Sequence, residues 1–321
     1  MVGKVDIVIV SWNSSALTIR ALEALAKTAQ LSGVLSRVIV VDNGSRPEEI
    51  ELLKAAADGG LGLPLEMKFN SANEGFAAAC NQGAAGGVAP FILFHNPDVV
   101  VLQDAVEAAA MALERGEANS IGIVGVRLVD GNGTVHRCSS RFPTPGAMAG
   151  QAMGLDRIGL VTPVRSTDWD HADTREVDQV MGAFLMVRRD VFEQLGGFDE
   201  RFFVYYDDVD LSLRARQRGW RTLYLADATA VHDEQGTTQS AKAARLFYLL
   251  RSRLLYANKH FGWGGVLVVW SATLFIEPVA RGINIISGGG RRQDLAALVR
   301  AYRLLFQSLP HLKRDARQAA P

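Results

Sequence analysis

The stretch VDIVIVSW, residues 5–12, is short, apolar and β-branched, which is how a strand buried on both faces of a sheet reads. Helical spacing follows almost at once in ALTIRALEALAKTA (16–29). The alternation then repeats. SRVIVVDNGS (36–45) is a second strand with a polar end, and PEEIELLKAAA (47–57) a helix with Pro47 in its first turn. LEMKFN (65–70) is a short strand and GFAAACNQGAA (75–85) opens a helix. PFILFHNPD (90–98) is a further strand, followed by the helix LQDAVEAAAMALER (102–115). Strands alternating with helices predict an α/β fold with a mostly parallel central sheet flanked by helices. In such sheets ligands bind beyond the strand carboxyl ends, and the polar clusters SWN, DNGS and HNPD all fall there.

Beyond residue 120 the pattern is less regular. GIVGVRLVDGNGTVHR (122–137) predicts a hairpin turning at Asp130–Gly133, and 140–176 is expected to be a long loop. GAFLMVRR (182–189) is a strand, DVFEQLGG (190–197) a short helix with a glycine stop, and DDVDLSLRARQRG (207–219) a longer helix that begins in carboxylates. WRTLYLADATAVHD (220–233) is rich in strand formers and brings the chain to His232.

The chain has 321 residues, 34 Lys and Arg against 34 Asp and Glu, and 48% hydrophobic residues, enough for a large core. The even balance hides an asymmetry. Residues 240–321 carry 13 Lys and Arg against 3 Asp and Glu, which leaves 21 against 31 in the remainder. A basic extension of this kind suits an anionic membrane surface, or docks on the acidic body. Within it, the uncharged run Phe261–Ile276 is shorter than the roughly 20 apolar residues a spanning helix needs, so an interfacial helix is the expectation. A packing helix or a homodimer contact are the alternatives. Nucleic-acid binding finds no interleaved aromatic residues in its support. Two distant cysteines, Cys80 and Cys138, suggest neither a zinc site nor a disulfide framework. The N-terminal run lacks the long apolar core of a signal peptide, so a cytoplasmic location, peripheral at the inner membrane face, is expected.

Several clusters carry chemistry. Asp98 sits behind Pro97 at a strand end, a fixed place for a hard oxygen ligand to Mg²⁺ or Mn²⁺. Asp207, Asp208 and Asp210 crowd a helix start, where the helix dipole alone accounts for acids but where a general base is also well placed. His232 closes an apolar strand, as a structural donor or a metal ligand. No GxGxxG, Walker A or GxSxG motif is present.

In this order, VIVSWN (8–13), VVDNGS (40–45), NEGFAAACNQG (73–83), NPD (96–98), the block 182–220 and AVH (230–232) resemble the family 2 glycosyltransferases of the GT-A fold, in their bacterial rhamnosyltransferase-like branch. The resemblance covers roughly residues 5–235. It implies a catalytic domain over 1–239, with a nucleotide-sugar half to about 120 and an acceptor half beyond it, and a basic helical extension over 240–321. It implies a nucleotide-diphosphate sugar donor, dTDP-rhamnose by subfamily likeness, a glycan or lipid-linked acceptor, and a single inverting displacement. Asp42 would contact the nucleobase, and Ser11 and Asn13 would line the nucleotide pocket. Asn73, Gly75 and Asn81 would lie near nucleotide and donor sugar. Asn96 and Asp98 match the ends of the DxD motif, with Asp98 on the metal. Asp208 matches the catalytic base, with Asp207 a rival, and His232 matches a histidine that binds metal or diphosphate. Gly196, Gly197, Phe198, Asp199 and Glu200 would shape the acceptor side. The sequence departs from the family pattern at Asn96, where DxD has an acid, at Asp207, where glutamate is commoner, and at Gly236, which follows His232 at a looser spacing. A sugar nucleotidyltransferase and a non-catalytic sugar-nucleotide scaffold are the competing readings. The first would want a glycine-rich basic loop where SWNSSALTIR stands, and the second would not need Asp98, Asp208 and His232 together.

Overall fold

The computed structural model describes residues 3–102, 104–116, 120–156, 158–166, 168–232, 242–288 and 292–317. The chain divides into two compact units. One holds the segments up to Arg141, from Arg165 to Glu200, and from Asp207 through His232; the other holds Phe142–Val164, Arg201–Tyr206 and the described residues from Lys242 onward.

The first unit is built as the alternation predicts: β1 (Val5–Ser11), α1 (Ser15–Ser32), β2 (Leu35–Asp42), α2 (Pro47–Asp58), β3 (Leu65–Phe69), α3 (Phe76–Ala84), β4 (Phe91–His95), β5 (Val99–Val101), α4 (Ala105–Arg115) and β6 (Ile121–Val129). The short β7 (Ser139–Ser140) ends its first segment, and α5 (Pro145–Met153) belongs to the second unit. The first unit resumes with β8 (Arg175–Val177), β9 (Gln179–Val180), β10 (Phe184–Arg188), α6 (Arg189–Gln194), α7 (Asp207–Gln217) and β11 (Arg221–His232). The main sheet runs β3-β2-β1-β4-β10-β6-β11-β5, with β8 also on β11. β3, β2, β1, β4, β6 and β11 share one direction, and β10, β5 and β8 oppose them.

Every residue of β1 is buried, including Asp6. Its charge is met by Arg189 Nη2 at 2.7 Å, so a carboxylate survives in an otherwise apolar strand because a guanidinium is buried with it. α3 packs on β1 and β2, and α4 on β6 and β11.

The turn expected at Asp130–Gly133 is present, with Asp130 Oδ1 accepting from Asn132 N and Thr134 N, but the return pairs with β6 only through a Val129–Val135 bridge. The loop expected over 140–176 is corrected by α5. Thr144 caps it by accepting from Ala147 N at 3.2 Å, Pro145 begins it and left-handed Gly154 ends it.

In the second unit α8 (Lys242–His260), α9 (Trp263–Ser271), a π-helical turn (Ala272–Ile276), α10 (Glu277–Ser287) and α11 (Arg292–Arg317) pack together. Arg201–Tyr206 is held here by Ser252 Oγ donating to the Val204 carbonyl at 2.8 Å and by the Phe203–Tyr248 stack at 4.5 Å. The helix does not stop with the uncharged run Phe261–Ile276 but continues through Glu277 and Pro278. A proline is tolerated next to the widened π turn, and Glu277 is buried against Arg253 and Arg281. The helical run is therefore continuous from Trp263 to Ser287, 25 residues with mean hydropathy 1.5, which by length and composition is enough to cross a membrane.

Candidate active site

Strand direction gathers the polar clusters at one edge. β1 and β2 end in register at Ser11 and Asp42, and Ile9 faces His95 at the end of β4. β10 runs against β4 with Phe184 opposite His95, so Gly182 and Ala183 emerge beside Asn96, whose N–H donates to the Ala183 carbonyl at 3.0 Å. β5 runs against β11 with Val99 opposite His232, which brings Asp98 to the end of β11.

At the β1 and β2 end the hydroxyls of Ser11, Ser14 and Thr18 form a buried chain. Asn13 has a left-handed backbone (φ 50°); its N–H donates to Ser45 Oγ at 2.8 Å and its Oδ1 accepts from Arg46 N at 2.9 Å. Asp42 is fully buried. Its Oδ1 accepts from Ser45 N at 3.0 Å, whereas its Oδ2 has no hydrogen-bond partner among the described residues. A buried carboxylate oxygen in that state is costly unless a ligand donor completes it. Gly44 (φ 76°) is required here, since a Cβ would lie 2.5 Å from the backbone carbon of Ala72.

Asn43, which the sequence reading passed over in favour of Asp42, organises the next loop. Its Nδ2 donates to Asn73 Oδ1 and to the Gly75 carbonyl, both at 3.1 Å, and its Oδ1 accepts from Glu74 N and Asn70 Nδ2, both at 3.0 Å. Asn73 and Gly75 are thereby tied to the end of β2. The only signal was its place beside the acid of DNGS.

At the opposite side of the edge, Asp98 Oδ1 is buried without a hydrogen-bond partner and stands 3.5 Å from His232 Nε2. His95 lies below them in β4, fully buried, and burial pushes its pKa down to about 4, so the ring is neutral near pH 7. Among the described residues no three His, Cys, Asp or Glu side chains converge on a metal position. Gly236 lies outside the described residues.

The acids of α7 divide into two kinds. Asp208 Oδ2 accepts from Gly182 N at 3.0 Å and its Oδ1 from Val209 N at 2.8 Å, which fastens it to the segment beside Asn96. Burial raises the Asp208 pKa; burial, and then repulsion from Asp208, pushes Asp207 up to about 8. The pair thus keeps one proton where two separate carboxylates would keep none. Tyr205 and Tyr206, immediately before them, both have left-handed backbone (φ 65° and 67°), an uncommon state for aromatic residues. Asp210 is structural. It is fully buried and accepts from Arg214 Nε at 2.7 Å, while Arg214 Nη1 and Nη2 donate to the carbonyls of Leu195 and Gly197 at 2.8 and 2.9 Å.

Asn81 joins this second cluster. Its Nδ2 donates to the Phe198 carbonyl at 2.9 Å and to Glu200 Oε1 at 3.0 Å, and its Oδ1 accepts from Phe198 N at 2.9 Å. Gly196 to Glu200, Asp199 included, therefore form a turn clamped from α3 by Asn81 and from α7 by Arg214. Gly197 (φ 75°) passes so close to Asn81 that a Cβ would lie 2.6 Å from its Oδ1.

The sequence model of glycosyl transferase family 2 matches residues 6–196. The chain belongs to that family. It is a rhamnosyltransferase-like member, with a GT-A fold and glycosyltransferase activity. It is 28% identical over 250 residues, 73% of this chain and 78% of the relative, to the N-acetylglucosaminyl-diphospho-decaprenol L-rhamnosyltransferase of Mycobacterium tuberculosis. It is 29% identical over 192 residues, 53% of this chain and 65% of the relative, to the rhamnosyltransferase WbbL of Escherichia coli. Among solved structures, the mannosyltransferase PcManGT from Pyrobaculum calidifontis, in complex with GDP-Man and Mn²⁺, superposes with a TM-score of 0.56 at 16% identity over 99% of this chain and 87% of that one.

Proposed function

We propose that this glycosyltransferase moves a sugar, with dTDP-rhamnose the favoured donor, to a hydroxyl of a glycan or lipid-linked acceptor in cell-surface polysaccharide synthesis, with inversion at the anomeric carbon. The catalytic work is assigned to residues 1–239. The observation that carries the reading is Asp98 Oδ1, buried without a hydrogen-bond partner 3.5 Å from His232, on the edge that also carries Asp42 and Asp208. The names of the two rhamnosyltransferase relatives support the choice of sugar.

Asp42 keeps one oxygen for a donor group of the nucleobase, because Ser45 N occupies only the other. Ser11, Asn13, Asn73 and Gly75 shape the walls around it, and Asn96 lies toward the donor sugar. Asp98 and His232 would hold Mg²⁺ or Mn²⁺; a carboxylate and an imidazole are too few to satisfy such an ion, which suits an ion that also needs diphosphate oxygens. When bound, the ion offsets charge on the leaving diphosphate as a Lewis acid. Asp208 is the proposed base. Two backbone N–H groups favour its ionised form, while deeper Asp207 retains the proton of the pair. Asp208 then takes the proton of the acceptor hydroxyl, which attacks the anomeric carbon opposite the diphosphate. The turn Gly196–Glu200, held rigid by Asn81 and Arg214, forms the acceptor side.

Calorimetric titration with dTDP, UDP, GDP and ADP, each with Mn²⁺ or with EDTA, tests the reading without knowledge of the acceptor. Metal-dependent binding of dTDP in preference to the others is expected. Folded protein that binds none of the four would overturn the proposal.

A further inference from the structure

The helical run Trp263–Ser287 leaves one side bare. Trp263, Leu267, Phe275, Val279, Ile283 and Ile286 are each at least 59% exposed, a stripe about 36 Å long on one continuous helix. Val279, Ile283 and Ile286 fall within about 60° of one another at helical spacing. The other side of the run is fixed within its own unit. Trp270 Nε1 donates to Asn258 Oδ1 of α8 at 3.0 Å, and Tyr302 Oη of α11 donates to the Thr273 carbonyl at 3.0 Å. Glu277 is buried between Arg253 of α8 and Arg281.

Charge identifies what covers the stripe. Two acids of this helical segment are engaged, Glu277 by Arg253 and Arg281, and Asp294 by Lys242 at 2.7 Å. On α11 the exposed apolar residues Leu295, Val299 and Phe306 have exposed Arg292, Arg300 and Arg303 beside them. Exposed apolar side chains flanked by arginines suit a surface of acyl chains beneath anionic headgroups. A second copy of this chain would instead set one segment with 13 Lys and Arg and 3 Asp and Glu against another like it.

We propose that the Trp263–Ile286 face of this helix lies in the interface of an anionic lipid bilayer, inserted along one side and not crossing it. Crossing would require the helix to leave α8 and α11 and to carry Glu277 through the hydrocarbon without Arg253, which its packing opposes.

The test uses the full chain, vesicles of phosphatidylcholine alone or with phosphatidylglycerol, and sedimentation. Wild-type protein is expected to pellet with the phosphatidylglycerol vesicles and to be released by alkaline carbonate. The double variant Ile283→Glu, Ile286→Glu alters only exposed positions and should bind roughly tenfold more weakly at an unchanged melting temperature, and Arg300→Glu with Arg303→Glu should do the same at low salt. Retention through carbonate would show a spanning helix and overturn the one-sided placement. Failure to pellet with either vesicle would overturn the proposal, as would a dimer that the Ile283→Glu, Ile286→Glu variant breaks without any change in vesicle binding.

Discussion

Asp98 Oδ1 stands 3.5 Å from His232 Nε2 because Val99 is the register partner of His232. The contact is made by the sheet rather than by a loop. β5 is only three residues long, and its pairing with the last residues of β11 draws the NPD turn, otherwise a surface feature, against the far end of the unit. A turn pinned between two paired strands is a more exact place for a cation than a free loop.

Asp98→Ala should therefore remove the metal dependence of nucleotide binding while leaving the fold intact, since the carboxylate has one partly solvated side and no hydrogen bond from Oδ1 to lose. Titration of dTDP into wild type and variant, with Mn²⁺ and with EDTA, checks it. Wild-type affinity is expected to fall on chelation and the variant's to be insensitive to it. A variant that still gains affinity from Mn²⁺ would take Asp98 out of the metal site.

Asp208→Asn keeps the shape and can still receive a backbone N–H through its amide oxygen, but it cannot take a proton. Transfer is expected to fall by about 10²–10⁴-fold with nucleotide affinity unchanged, because the proposed role is general-base catalysis. Near-wild-type turnover would transfer the role to Asp207.

Much of the fold was legible because most strands of the first unit are short, apolar and bounded by polar residues, and β1, β2, β4 and β11 lie where those boundaries put them. The edge that carries Ser11, Asp42, Asp98 and His232 followed from strand direction. What stayed hidden depended on tertiary partners. α5 is built of small residues whose spacing has no clear face, so only its Thr144 cap and Gly154 stop announced it. The uncharged run Phe261–Ile276 read as too short to span because nothing nearby in the sequence shows that Arg253 buries the charge of Glu277 and lets the helix run on. Asn43 and Arg214, and the clamp that the already singled-out Asn81 makes on Phe198, act through backbone groups far away in the chain, and no local pattern encodes such partners.

Arg214 clamps the Gly196–Glu200 turn to α7, and its partner Asp210 is fully buried. Arg214→Ala removes the guanidinium that meets that carboxylate and the hydrogen bonds it donates to two backbone carbonyls. A loss of about 3–5 kcal/mol is expected, the range for breaking one side of a buried pair. Urea unfolding measures it, and the Asp210→Asn, Arg214→Met double variant should recover part of the loss. A midpoint unchanged in Arg214→Ala would show that the clamp contributes nothing.

Asp207 sets the sign of a pH effect on stability. Its pKa lies near the ordinary carboxylate value when unfolded and is pushed up to about 8 when folded, by burial and by the Asp208 charge. Between about pH 4 and 8 the folded state binds a proton that the unfolded state has released, so this group's contribution is fully present below that window and is lost as pH rises through it. Asn resembles the protonated acid and does not titrate. Asp207→Asn should therefore change the melting temperature little at pH 4.5 and raise it at pH 8.5, relative to wild type. Differential scanning fluorimetry across that range reads the crossing directly. A gap between the two proteins that is constant with pH would mean that Asp207 enters the folded state already ionised, and the proton held by the pair would then belong to Asp208.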